Sequence, residues 1–214
     1  VNAKRMSGEM NTSLGNGFSN LMFLLFAVFI YNIKYVGPVV EGDDGLLGLS
    51  KSIPTEYWDL MGLNVKMLMS PLSHASFCGM IFDPIERINI TDPRKPLCTI
   101  MWVPRKYCNA SMKTCLGLIK SKALSMAFEY PGCPILSVLS VKVFSLLDGV
   151  EMINIGENSY ERKVHDSYVS RYHKYGLPIR AIGSRTRDLM NELFGISPAR
   201  QRLIEDDIYN MTLF

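Results

Sequence analysis

Histidine is scarce in this sequence of 214 residues, and the three present, His74, His165 and His173, stand too far apart for a catalytic triad or a metal-ligand spacing. No serine, cysteine and histidine constellation supports a hydrolase. The five cysteines, Cys78, Cys98, Cys108, Cys115 and Cys133, are odd in number and contain no Cys-x-x-Cys pair, so neither a zinc site nor a disulfide framework is expected and a reducing compartment is. No apolar run approaches the roughly twenty residues that span a bilayer. The longest, LMFLLFAVFI from Leu21 to Ile30, is bracketed by Asn20 and Asn32 and reads as a core helix, so no stable membrane span is expected. No signal-peptide pattern precedes the four Asn-x-Ser/Thr sequons at Asn11, Asn89, Asn109 and Asn210 in this sequence, and they are read as chance matches. Neither sign of charge dominates, and a net charge of +3 does not by itself announce a nucleic-acid binder. An initiator methionine is missing too: the chain opens Val1-Asn2-Ala3-Lys4-Arg5 and runs at once into a dense motif, and it is read as the C-terminal piece of something longer.

What is present describes a globular chain, since 48% apolar residues supply a core at this length. Apolar spacing predicts a helix from Asn11 to Tyr31, crowded on one side and then on every side as it enters a core. Lys34–Glu41 and Gly45–Leu49 read as a hairpin. Ser52-Ile53-Pro54 starts a helix that Gly62 stops, and strands are expected over Asn64–Met69 and Ser76–Phe82. Pro84–Pro104, rich in proline and charge, reads as a connector. Beyond it come helices from Met112 to the stop at Tyr130-Pro131-Gly132, over Pro134–Leu147, Ser159–Tyr175 and Thr186–Phe194, and over Pro198–Tyr209 with Ser197 as N-cap. Positive charge gathers late: between Arg162 and Arg202 nine Lys or Arg face three acids, a net of +6.

Two motifs carry chemistry. The hairpin turn is Glu41-Gly42-Asp43-Asp44-Gly45, acid concentrated at a tip. Gly-Asp-Asp alone is weak, because average usage yields it in roughly one chain in thirty of this length. Upstream, however, Ser7-Gly8-Glu9-Met10-Asn11-Thr12-Ser13-Leu14-Gly15-Asn16 has the form Ser-Gly-x-x-x-Thr-x-x-x-Asn. Thr12 and Asn16 are four apart and share one helical face, able to hydrogen-bond sugar hydroxyls, while Ser7 and Gly8 form a flexible loop before it. The pair in this order and spacing is expected by chance in well under about one chain in a thousand.

This combination resembles motifs B and C of the palm of RNA-directed RNA polymerases from positive-strand RNA viruses, tombusvirus-like in detail. Gly62-Leu63-Asn64-Val65-Lys66 looks like motif D and Ser76-Phe77-Cys78-Gly79 like the motif E hairpin, while Thr91–Lys95, Lys122–Ser125 and Tyr130–Ile135 are similar to thumb segments of unclassified relatives from invertebrates. The resemblance implies an α+β fold. Residues 1–104 would be the C-terminal part of a right-hand polymerase palm, a helix plus an antiparallel hairpin, and residues 105–214 a mainly helical thumb. It implies ribonucleotidyl transfer with two Mg²⁺ ions, or Mn²⁺ in their place, held by carboxylate oxygen. Asp43 would be the direct ligand and Asp44 an outer or accessory one. Thr12 and Asn16 would read the ribose 2′-hydroxyl, and Ser7 and Gly8 would position template and incoming nucleotide. Lys66 would protonate the pyrophosphate leaving group or neutralise charge, Phe77, Cys78 and Gly79 would steady the product end, and the basic stretch would track the phosphates of the product duplex.

The implied partners are an RNA template and product duplex, ribonucleoside triphosphates and the missing N-terminal part of the same polymerase. The implied location is the host cytoplasm, at membrane-associated replication sites. The family needs a further aspartate, in motif A, on a strand before motif B, and only six residues precede Ser7, so the fragment alone is expected not to polymerise. A reverse transcriptase lacks the Thr-x-x-x-Asn helix. The remaining rival is a non-catalytic RNA-binding or membrane-associated replication scaffold, which keeps the basic stretch and Leu21–Ile30 and makes Asp43 incidental.

Overall fold

The computed structural model describes residues 12–154 and 159–212. The fold is α+β. Among the described residues there are eight α-helices and two small antiparallel sheets. The chain divides into two compact units, Val1–Ile81 and Phe82–Phe214.

In the first unit a long helix, α1 (Thr12–Ile30), is followed by the hairpin β1 (Tyr35–Glu41) and β2 (Asp44–Leu49) and by the short helix α2 (Thr55–Leu60). The hairpin register is Tyr35↔Leu49 at its base and Glu41↔Asp44 at its tip. An irregularity between Val36 and Val39 accommodates Pro38, which has no N–H for a ladder, with Gly37 at φ +58 beside it. Helix α2 begins after Pro54 and ends where Gly62 takes φ +68 and Leu63 N–H returns to Trp58 O at 2.9 Å. The core is Ala27, Val28, Ile33, Ile53, Tyr57 and Trp58. Tyr57 packs edge-on against Trp58 at 4.8 Å and donates its hydroxyl to Phe23 O at 2.8 Å, which ties α2 to α1.

Three expectations for this unit need correction. Helix α1 ends one residue short of the expected Tyr31 and is not buried on every side, since Leu14 is 78% and Phe29 81% exposed and only Gly17, Ala27 and Val28 are buried. Asn64–Met69 forms no strand: Leu63 and Met67 reach the core, but among the described residues no strand pairs with this stretch and Leu68 lies exposed. Ser76–Phe82 is not one strand but a hairpin, β3 (Ser76–Phe77) and β4 (Met80–Asp83), paired Phe77↔Met80. Cys78 and Gly79 make its turn with φ +51 and +76, two consecutive positive values that carry the twist of a tight hairpin.

The second unit contains β5 (Ile88–Ile90), α3 (Arg94–Thr99), α4 (Met112–Glu129), α5 (Leu136–Leu146), α6 (Ser159–Tyr175), α7 (Ser184–Phe194) and α8 (Pro198–Tyr209). Leu118, Leu124, Leu136, Leu139, Leu189 and Met190 are its interior. Helix starts and stops follow sequence chemistry: Ser111 and Ser197 accept the N–H of Thr114 and Arg200, and Gly195 takes φ +69 after α7. Helix α5 starts two residues later than expected. Ile135 holds φ +66 and ψ −55 in a γ-turn closed by Leu136 N–H to Pro134 O at 2.7 Å. That conformation is strained for a β-branched residue. It is held because Glu205 accepts the Ile135 N–H at 2.8 Å while Arg187 grips the same carboxylate at 3.0 and 2.8 Å.

The Pro84–Pro104 stretch is not a loose connector. Ile88, Ile90 and Ile100 are buried, Asn89 donates to Glu129 O, and Lys122 donates to Thr99 O and Trp102 O at 2.7 and 2.9 Å. Arg180 donates to Glu86 O and Arg87 O, and Thr186 to the buried Asp83. These bonds bind residues 83–102 to the helices, so the boundary between compact units falls at Ile81/Phe82 rather than near Pro104.

Candidate functional site

Gly42 and Asp43 are the two central residues of the β1–β2 turn, with Gly42 at φ +58, and Asp44 is the first residue of β2. A two-residue turn separates the two acids in direction. Asp43 stands at the tip and Asp44 leaves from the ladder. Both are exposed, as is Glu41 opposite Asp44.

Helix α1 grips this tip with two adjacent stripes. The first is Thr12, Asn16 and Asn20 at spacing four, in which the Asn20 carboxamide nitrogen lies 3.0 Å from Asp43 O, 3.0 Å from Asp44 O and 3.5 Å from Gly42 O. Three carbonyls can only accept, which fixes the NH₂ rather than the oxygen of Asn20 on this side. The second stripe is Ser13 and Gly17. Ser13 donates to Glu41 Oε1 at 2.7 Å, and a Cβ built on Gly17 would stand 3.5 Å from Gly42 N. Gly45 answers from the hairpin, where a Cβ would meet Asn20 and Leu24 at 3.3 Å. Small residues at 17 and 45 thus let the helix lie close against the turn. Beside the second stripe is a groove of about 530 Å³ lined by Leu14, Phe18, Leu21 and Val40. It runs along the Ser13 stripe, not along the Thr12 and Asn16 stripe that the sequence reading favoured.

The β3–β4 turn reaches the same place. The Cys78 thiol lies beside the Asp44 carboxylate, and its pKa is raised by desolvation first and then by Asp44 and the negative charge of Glu41. Asp44 thus has a thiol neighbour, whereas the Asp43 carboxylate has no side-chain partner among the described residues.

Among the expected site residues, Asp43, Asp44, Thr12, Asn16 and the Phe77-Cys78-Gly79 turn fall within this one unit. Lys66 belongs to the same unit but engages neither acid. It is exposed on the segment that forms no strand. Ser7 and Gly8 lie outside the described residues. Asn20, which brackets the apolar run, belongs to the site as well, and its i+4 relation to Asn16 is the signal that points to it.

The basic stretch lies in the other unit, and part of it is consumed internally. Arg187 pairs with Glu205, Arg185 with Glu192 at 3.2 Å, and Arg180 with two carbonyls. Arg171 sits over the Phe128 ring at 4.6 Å, while Lys163, Lys174, Arg200 and Arg202 stay exposed.

Among the described residues no three His, Cys, Asp or Glu side chains converge as a metal cage. The donor set at the tip still suits a hard divalent cation in part: one free carboxylate, a second within the same turn, and an open side. Further oxygen ligands would have to come from elsewhere. Comparison with protein-family models, with curated proteins and with solved structures gives no match.

Proposed function

We propose that this chain is the C-terminal part of the palm, followed by the helical thumb, of a tombusvirus-like viral RNA-directed RNA polymerase. The observation that carries the reading is the docking of an acidic two-residue turn, through Asn20, onto the helical stripe that bears Thr12 and Asn16. Asn20 stands one helical turn beyond Asn16 on that stripe, so the helix that bears Thr12 and Asn16 also touches the acidic turn. Sheet geometry is compatible with it, because β1 pairs only with β2 among the described residues and so leaves one edge without a ladder.

In this reading Asp43 offers carboxylate oxygen at the exposed tip, and Asp44, beside Cys78, backs it. Bound Mg²⁺ or Mn²⁺ would supply the charge that stabilises the attacking and leaving oxygens of an in-line displacement at the α-phosphate of a ribonucleoside triphosphate. Thr12 and Asn16 orient the ribose through its hydroxyls, and the Phe77-Cys78-Gly79 turn rests against the product end. Exposed cations of the helical unit follow template and product phosphates without reading sequence. The 3′-hydroxyl of the growing RNA displaces pyrophosphate. Lys66, exposed and paired with neither acid, neutralises charge rather than acting as the acid. The setting is the host cytoplasm, at membrane-bound replication sites.

A second reading, a membrane-associated scaffold, draws on α1, which is long and apolar enough by length and composition to cross a bilayer and is little buried. One experiment separates the two. In the polymerase that carries this chain, extended upstream to include motif A, Asp43→Ala is expected to abolish nucleotide incorporation while RNA binding persists. Retained synthesis favours the scaffold.

A further inference from the structure

We infer that Asn20 is a positioning residue for the metal-holding turn, an inference that rests on the polymerase reading above. A carboxylate on a two-residue turn has its place set by the peptide planes on either side of it. The planes that flank Asp43 carry Gly42 O and Asp43 O, and one carboxamide nitrogen stands 3.5 and 3.0 Å from them and 3.0 Å from Asp44 O on the next plane. Asn20 reaches these carbonyls from the helix, outside the β1–β2 ladder that pairs Glu41 with Asp44. Ser13 bonds the Glu41 side chain and the Cys78 thiol neighbours the Asp44 side chain, so each of these acts on a carboxylate rather than on the carbonyls of the turn.

Asn20 also belongs to the stripe of Thr12 and Asn16. A rigid helix therefore carries, at successive turns about 5–6 Å apart, the groups that meet the sugar and the group that sets the metal-binding acid. The distance between ribose and cation is fixed by one element. Positional errors of about 1 Å can lower a displacement rate by roughly a hundredfold, which is the scale on which such a clamp matters.

The test uses the upstream-extended polymerase and three variants, with incorporation of one nucleotide measured against Mg²⁺ concentration. Asn20→Ala is expected to need about tenfold more Mg²⁺ for half-maximal rate, with the KM for nucleotide little changed. Asn20→Asp, the same shape with no donor and with like charge facing three carbonyls, is expected to be worse, and Asn20→Gln, which keeps the donor, to recover part of the loss. Thermal unfolding of each variant separates misfolding from mispositioning: an unfolded fraction lowers the maximal rate and leaves the Mg²⁺ dependence where it was. An unchanged Mg²⁺ requirement in both Asn20→Ala and Asn20→Asp, with Asp43→Ala inactive, overturns the role of Asn20 and spares the polymerase reading. Synthesis that survives Asp43→Ala overturns the reading itself.

Discussion

Replacing Glu205 by alanine is expected to destabilise the helical unit by about 3–5 kcal/mol. The Arg187 and Glu205 side chains are each only 11% exposed, and the pair is bidentate, at 3.0 and 2.8 Å. Truncation leaves the guanidinium in the interior without its counter-charge. It also orphans the N–H of Ile135, a fully buried residue in a strained γ-turn, and an unsatisfied buried donor costs about 1–3 kcal/mol on its own. The two penalties overlap, because water entering the truncated site serves both groups. Glu205→Gln keeps an oxygen toward Ile135 and loses the charge, and about 1.5–3 kcal/mol is expected for it. Arg187→Leu combined with Glu205→Ala should cost less than the two single changes added together, since no charge is stranded. Urea unfolding followed by helical circular dichroism measures all of these. A Glu205→Ala midpoint within about 1 kcal/mol of the parent, or strict additivity in the double variant, refutes the assignment of this pair as the clamp on the γ-turn.

Two further stability predictions test packing and charge in the same unit. Gly117→Ala raises helix propensity by about 1 kcal/mol. Its Cβ would stand 2.6 Å from Glu151 O and 2.9 Å from Ile153, so a net destabilisation of about 1–2 kcal/mol is expected, and a more stable variant in the same urea assay contradicts the close approach. Glu129 has its pKa raised by burial, which means the folded state prefers the proton. Its effect on stability is therefore neutral at low pH and turns unfavourable as pH climbs from the unfolded carboxylate value through the raised folded one. Glu129→Gln should raise the unfolding midpoint at pH 7, and the gain should vanish below about pH 4. A gain independent of pH sinks the argument.

Sequence chemistry located the helices well, and for local reasons. Ser197 ahead of Pro198, Gly195 after Phe194 and Tyr130-Pro131-Gly132 after Glu129 are stop and start signals that act within a turn or two of chain. The acidic hairpin was legible because Gly42 supplies the positive φ that its turn demands. What failed depended on distant partners. Asn64–Met69 has strand-forming residues and, among the described residues, no ladder to join. Residues 84–104 have a linker's composition, yet bonds to Glu129, Lys122, Arg180 and Thr186 make them part of the helical unit, and those partners lie far along the chain. The γ-turn at Ile135 exists only because Glu205 meets it from 70 residues away. At the site, spacing alone brought Thr12 and Asn16 to one face. The third member of that stripe, Asn20, gained meaning only once the turn was seen against it.

The central claim is that Asp43 holds a divalent cation for ribonucleotide transfer. Mn²⁺ paramagnetic resonance tests it most directly, on the upstream-extended polymerase bound to RNA and a ribonucleoside triphosphate. The expected result is a tightly held Mn²⁺ signal that Asp43→Ala abolishes and Asp44→Ala only weakens. A signal unaltered by Asp43→Ala contradicts the account.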